Sequence, residues 1–296
     1  MRIHRLTVVV LLAALAVPRI SWSATPFTFT ISDGNASYTR YSFDPLTAGS
    51  HNETVSFTGV ESSSFSELYD FDWWYRIAGD SAESPLEGEP DSVLTAGANS
   101  ETLQWNDVDG RGLDVAENTT VYDLSTGLGH AGGVLDKLLL ITNNSSTTPL
   151  SIDLFAYADV DLSEGSDVSA WREATNQLIL EDRGPSDFVQ LIVNGSGNTQ
   201  VSQPLQDIHF GVDDYSNIWD GLLDSSVSDF SDATNPYGPG DFTAVYQIHL
   251  DIPPSGSKEV DVEVLSNVTY NCGSALGVYC DGFETSDTQI WSSVTP

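Results

Sequence analysis

The sequence predicts an all-β protein, a large two-sheet antiparallel sandwich with a short C-terminal tail. Three observations point there. Apolar and polar residues alternate with period two over many short segments. Clusters of Gly, Pro, Asn, Asp and Ser punctuate those segments. Helical periodicity is nearly missing, the one candidate being a short amphipathic stretch from Asn217 to Leu223.

The strands follow in order. Phe27-Thr-Phe-Thr-Ile31 and Thr54-Val-Ser-Phe-Thr58 alternate cleanly. Leu68 to Ile77 is a dense aromatic strand. Leu138 to Thr142 and Leu150 to Asp159, joined by the polar turn Asn143 to Thr148, read as a hairpin. Phe188 to Val193 and Phe242 to Leu250 are rich in β-branched and aromatic residues. Glu259-Val-Asp-Val-Glu-Val264 has the sharpest alternation, with valines facing inward and carboxylates facing water. No internal repeat is visible, and no strong interdomain linker precedes Tyr270. Strand-rich sequences of this kind bury their apolar faces by stacking two sheets.

Residues 1–23 read as a secretory signal peptide. Arg2 and Arg5 form the positive region, Leu6 to Val17 the apolar core, and Ser21 and Ser23 flank a cut before Ala24. The core is about a dozen residues long, short of the roughly 18 needed to cross a bilayer. No later apolar run reaches that length either. The organisation is therefore a leader (1–23), a β-sandwich domain (24–270) and a Cys-containing tail (271–296). Cys272 and Cys280 stand just before the end of the chain. An oxidising compartment favours their pairing across a small Gly-containing loop.

Asp281-Gly-Phe-Glu-Thr-Ser-Asp-Thr-Gln-Ile-Trp-Ser292 resembles a tail found on exported proteins of Gram-negative bacteria, with Ser286 where that pattern has Gly. The resemblance implies export or surface sorting, and it implies no chemistry. A last strand packed on the domain is the other reading of those residues. Three landmarks, Leu68 to Ile77, Leu138 to Asp161 and the Gly238-Pro-Gly-Asp241 loop, together resemble exported bacterial β-supersandwich proteins of unknown activity. That likeness implies a fold and no reaction.

The formal net charge is −33, from ten basic residues against 43 acidic ones. Three of the ten, Arg2, Arg5 and Arg19, lie in the leader, and Lys137 and Lys258 are the lysines. Such a chain offers no phosphate-binding surface, which excludes nucleic acid as a partner and disfavours anionic lipid. A dense acidic shell suits a protein kept hydrated in salt. Clustered carboxylates alternatively suit Ca²⁺, which takes six to eight oxygen ligands.

Asp70-Phe-Asp-Trp-Trp-Tyr-Arg76 is the most pronounced aromatic cluster. Trp73, Trp74, Arg76 and Asp72 are the candidate ligand-binding residues, because ring faces beside charged groups are what sugar recognition uses. The competing reading places one face of this strand in the core, with Trp74 packed under Arg76. Asp159-Val-Asp-Leu-Ser-Glu-Gly-Ser-Asp167 spaces oxygen ligands like the front of a calcium loop, making Asp159, Asp161, Ser163 and Asp167 the candidate Ca²⁺ ligands. Ala170 stands where an EF-hand has its bidentate Glu, so this is no EF-hand. A solvated acidic turn is the alternative.

Catalytic spacings are missing: there is no H-E-x-x-H, no phosphate-binding glycine loop and no G-x-S-x-G elbow. His249, between Ile248 and Leu250, is expected to face its sheet. The function these features favour is an exported non-catalytic surface, matrix or ligand-binding protein. A carbohydrate-active lyase or hydrolase and a calcium-dependent adhesion module are the alternatives, and extracellular carbohydrate or a surface matrix is the expected partner.

Overall fold

A computed structural model describes residues 29–41, 55–58, 68–86, 90–95, 97–124, 132–160, 169–174, 177–181, 188–194, 207–232, 237–238 and 243–266. The leader, Cys272, Cys280 and the tail lie outside them, as do Asp161, Ser163 and Asp167.

The fold is an all-β sandwich, as expected, of sixteen described strands in three antiparallel sheets. The largest has eight strands, ordered β11 (Ser169–Ala174), β12 (Gln177–Glu181), β13 (Phe188–Asn194), β16 (Ser257–Ser266), β9 (Gly133–Asn143), β8 (Leu113–Asp123), β7 (Ser100–Trp105) and β6 (Ser92–Thr95). A second has five: β14 (Ile208–Asp213), β15 (Thr243–Ile252), β10 (Leu150–Asp159), β4 (Asp70–Ile77) and β5 (Ser84–Pro85). A small sheet joins β1 (Phe29–Asp33), β2 (Ala36–Arg40) and β3 (Val55–Thr58). The helix α1, Tyr215–Leu223, extends the sequence expectation by two residues.

Alternation places the core. Val260, Val262 and Val264 of β16 and Leu135, Leu139 and Ile141 of β9 are buried inward. Ile152, Leu154, Ala156 and Ala158 of β10 and Tyr246, Ile248 and Leu250 of β15 meet them in one cluster. Phe71, Trp73 and Tyr75 of β4 join the same interior. Each large aliphatic or aromatic side chain removed from water in this way contributes about 1.5–3 kcal/mol.

Two expectations need correction. Leu138–Thr142 and Leu150–Asp159 do not form a hairpin. β9 pairs with β8 and β16, whereas β10 pairs with β4 and β15, so the connection 144–149 crosses from one sheet to the other. The link between β15 and β16 crosses beside it. Asn143 ties the two crossings together: its Nδ2 donates to the carbonyls of Thr148 and Ile252, at 2.9 and 3.2 Å. Ser255 N–H donates to Ser145 O at 2.8 Å, fixing one arch to the other. Period-two patterning reports which face is buried, and it carries no information on which sheet a strand joins.

The second correction concerns charge. The carboxylates do not all coat the outside. Glu101 and Glu117 point inward from the eight-stranded sheet and are buried, together with Lys137 and with Arg40 of the small sheet. Arg40 Nη2 and Nε donate to Glu101 at 3.0 and 3.2 Å, and Nη2 also donates to Glu117. Lys137 Nζ donates to Glu117 at 2.9 Å and lies 5.0 and 4.8 Å from the ring centroids of Tyr38 and Phe71. Trp73 Nε1, from the five-stranded sheet, donates to the other oxygen of Glu117 at 2.8 Å. Two cations and two anions thus balance where all three sheets meet. Burial alone would raise the Glu117 carboxyl, but Lys137 and then Arg40 outweigh it and hold it at about 2.

On the outer face of the same sheet, Glu263 of β16 sits directly across from Asp136 of β9, with Asp261 on the diagonal. Glu263 is buried there rather than solvated. Burial, and then the Asp136 carboxylate, push Asp261 up to about 9 and Glu263 to about 7. Burial also raises Asp136.

Two outcomes follow from these charges. Replacing Lys137 by Met strands an uncompensated carboxylate in the interior and should cost about 3–5 kcal/mol, read from the urea unfolding midpoint. The Asp261 and Glu263 values lie above those of an unfolded chain, about 4, so folding favours their neutral forms. Their contribution to stability is complete below about pH 4 and is lost as pH rises through about 7 and then about 9. Glu117 acts oppositely: its contribution is full above its unfolded value and disappears only as pH falls towards about 2. Thermal scans should therefore show the melting temperature falling between pH 5 and pH 9.5, less steeply in Asp261→Asn. Equal slopes in the two proteins would contradict this account.

Candidate functional site

The outer face of the five-stranded sheet is graded from apolar to polar, and register fixes the gradient. One cross-strand row runs Gly211–Val245–Tyr157–Asp72. The next runs His209–Gln247–Phe155–Trp74. The third contains His249, Asp153 and Arg76, and is extended by Asp207, whose carbonyl accepts from His249 N–H at 3.0 Å. All three rows share one face because residues two apart on a strand point the same way.

Helix α1 closes the apolar end. Ile218, Trp219 and Leu222 pack on Trp74, Phe155, Tyr157 and Val245. The Trp219 ring makes edge contacts with Trp74 and Tyr157, at 5.7 and 5.4 Å between centroids. The chain then returns over the sheet, and Phe230 lies 6.2 Å from Phe155. Gly211 permits that approach, since a Cβ there would sit 2.4 Å from the Phe230 ring.

At the polar end the cover stops and leaves a cleft of about 230 Å³. Arg76, Asp153, Gln247 and His249 form its floor, Phe230 and Asp229 one wall, and Asp207 and His209 the other. Arg76 organises it. Nη1 donates to Glu83 at 2.8 Å and to Ser228 O at 3.1 Å. Nη2 donates to Asp153 and Asp229, at 2.5 and 2.6 Å. Three carboxylates on three segments thus surround one guanidinium, the fork geometry that lysine cannot provide. The guanidinium holds the Asp229 carboxyl below the usual carboxylate range.

Returning chain and floor are locked together by further bonds. Ser228 N–H donates to Glu83, and Phe230 N–H donates to Gln247 Oε1, each at 2.9 Å. Gln247 Nε2 donates to Asp229 at 3.2 Å. Each histidine stands between two aspartates. His249 Nδ1 is 2.8 Å from Asp153 Oδ1, and its Nε2 is 3.7 Å from Asp251. His209 lies 3.2 Å from Asp207 and 3.6 Å from Asp232.

The sequence candidates are distributed by this geometry. Trp73 and Trp74 point to opposite faces, and both are buried, so the two rings share no surface. Asp72 is half-buried on the outer face, across from Tyr157. Arg76 lies at the cleft, beyond Trp74 on the same face. Asp159 ends β10, paired with Asp70 and Thr243. Its companions in the proposed calcium loop lie outside the described residues. Among the described residues no group of three or more His, Cys, Asp or Glu is arranged to hold a metal ion.

Sequence reasoning passed over Asp153, His209, Gln247 and His249. His249 turns outward into the cleft while Ile248 and Leu250 enter the core, contrary to the expectation that it faces its sheet. A signal existed. The outward positions of the strand Thr243–Ile252 carry Gln247, His249 and Asp251, three polar side chains in succession, one of them among the five histidines of the chain.

No family model and no curated protein matches this chain. Among solved structures, it is similar to a bacterial glucoamylase solved with acarbose, with a TM-score of 0.48 and 10% identity over 83% of this chain. The chain spans about a third of that protein's length (33%). It is also similar to a GalM/aldose epimerase homologue from C. elegans, with a TM-score of 0.34 and 11% identity, over 82% of this chain and 99% of that one.

Removing Arg76 tests the organisation of the cleft. Arg76→Met leaves the fully buried Glu83 side chain without its cation and should cost about 3–5 kcal/mol. Limited proteolysis should then cut within 224–232 first. A loss under about 1 kcal/mol, the scale of a solvated surface pair, would show that the arginine is dispensable.

Proposed function

We propose that this protein is an exported ligand-binding β-sandwich whose cleft between Arg76 and His209 takes an uncharged, hydroxyl-rich ligand, a carbohydrate unit. The observation that carries the reading is the row His249–Asp153–Arg76 on the floor of a cleft of about 230 Å³, continued by Asp207 in its wall. Donors and acceptors alternate along it, and a sugar presents hydroxyls that both donate and accept. Phe230 supplies an apolar edge for ring C–H groups. The cleft is smaller than the roughly 300–1,000 Å³ of pockets that enclose drug-sized molecules, which suits one sugar residue or a chain end.

Charge narrows the ligand further. Arg76 is the cation of the cleft, and its charge is already matched by Glu83, Asp153 and Asp229. No unmatched positive group is left there for a uronate, sulfate or phosphate, so acidic polysaccharides are disfavoured. Each cleft carboxylate named above also has a protein partner, which is the condition of groups that orient a ligand.

The test is calorimetric titration of neutral and acidic oligosaccharides into the mature protein. A neutral sugar should bind saturably, and His209→Ala should weaken it about tenfold, the loss of roughly one net hydrogen bond. The melting temperature should stay unchanged, because His209 is half-exposed. Binding of acidic sugars alone, or of none, would refute the assignment.

A further inference from the structure

The polar row continues one position past the cleft. Ser151 lies two residues before Asp153 on β10, so both side chains emerge on the outer face beside His249 of β15. Ser151 Oγ is 3.4 Å from His249 Nε2, and His249 Nδ1 is 2.8 Å from Asp153 Oδ1. One imidazole therefore joins a hydroxyl at one nitrogen and a carboxylate at the other. Asp153 is itself fixed by Arg76, whose Nη2 and Nε donate to Oδ2 at 2.5 and 3.2 Å. With its Nδ1 proton given to Asp153, His249 presents the Nε2 lone pair to Ser151. That is the relation of nucleophile, base and orienting group required for acyl transfer, and it is recognised by geometry and role rather than by chain position.

We infer that Ser151, His249 and Asp153 form a nucleophilic triad that removes an O-acyl group from a carbohydrate held in the adjoining cleft. The inference deepens the carbohydrate reading and rests on it for the identity of the alcohol. Ser151 and His249 are the catalytic residues, and Asp153 is a positioning residue. Ser151 Oγ attacks the ester carbonyl carbon while its proton passes to His249 Nε2. The ester C–O bond breaks, the sugar oxygen takes that proton, and an acyl-serine remains. Water then attacks the acyl carbon, gives a proton to Nε2, and releases the carboxylic acid as the proton returns to Oγ. No redox change and no metal is needed. The 3.4 Å contact is within the looser range such pairs show before substrate is bound.

The test uses reagents that need no sugar, so its failure is separate from failure of the carbohydrate reading. The mature protein is treated with a fluorophosphonate probe and digested, and the modified peptide is identified by mass spectrometry. The expected result is one adduct, on Ser151. The labelling rate should fall at least about 100-fold in His249→Gln, the usual contribution of a general base, and the adduct should vanish in Ser151→Ala. Burst release of p-nitrophenol from p-nitrophenyl acetate should follow the same order. Melting temperatures of the variants show whether the fold is retained. No Ser151 adduct on the folded wild-type protein would overturn the proposal, as would an equal labelling rate in folded His249→Gln. Labelling without any sugar binding would keep the triad and remove the carbohydrate.

Discussion

The sandwich depends on a neutral knot of charge in its interior. Arg40, Lys137, Glu101 and Glu117 come from the small sheet and the eight-stranded sheet, and Trp73 reaches in from the five-stranded one. Ion pairs removed from water seldom add net stability over well-packed apolar residues. What they supply is exclusion of alternatives, because each member is costly to bury unless every other is in place. A strand shifted by one residue would turn Lys137 or Glu117 to the wrong face and break the balance. The knot therefore fixes how three sheets, which apolar contact alone would let slide, sit against one another.

The same logic repeats on a smaller scale outside. The returning chain of 224–232 has one large apolar anchor, Phe230; its other apolar residue, Val227, is exposed, and the rest are serines and aspartates. Arg76 attaches it by binding Asp229 and the Ser228 carbonyl while also holding Glu83 and Asp153. The guanidinium thereby determines where the apolar cover ends and the cleft begins. Positioning the site and attaching its wall are one interaction.

The fold was legible because burial has a period. Val260, Val262 and Val264, or Ile152 and Leu154, could be assigned to the core from alternation alone. Pairing was not legible, because two strands joined by six residues look the same whether they turn back in one sheet or arch between two. Asn143, whose side chain binds both arches, carries that decision in three dimensions only. The aromatic strand was read correctly as having two faces, but burial of both faces depends on α1 covering Trp74, which the sequence of β4 does not encode. The cleft was least legible. Its residues come from β4, β10, β14, β15 and the returning chain, and acids are so abundant that a functional aspartate looks like any other.

An acidic chain constrains where its few cations can be spent. Among the described residues Arg40, Arg76, Arg111 and Lys137 each pair with carboxylates of other segments. They act as internal staples, and the acids they leave unbalanced either face solvent or, like Asp136, Asp261 and Glu263, crowd together on the outer face of the large sheet. Such a surface repels anions at long range, more weakly as salt rises. Near the cleft the same field opposes an acidic ligand before it arrives and is indifferent to a neutral one. The composition that disfavours nucleic acid as a partner is thus consistent with the neutral ligand proposed for the cleft where Arg76, His209 and His249 meet.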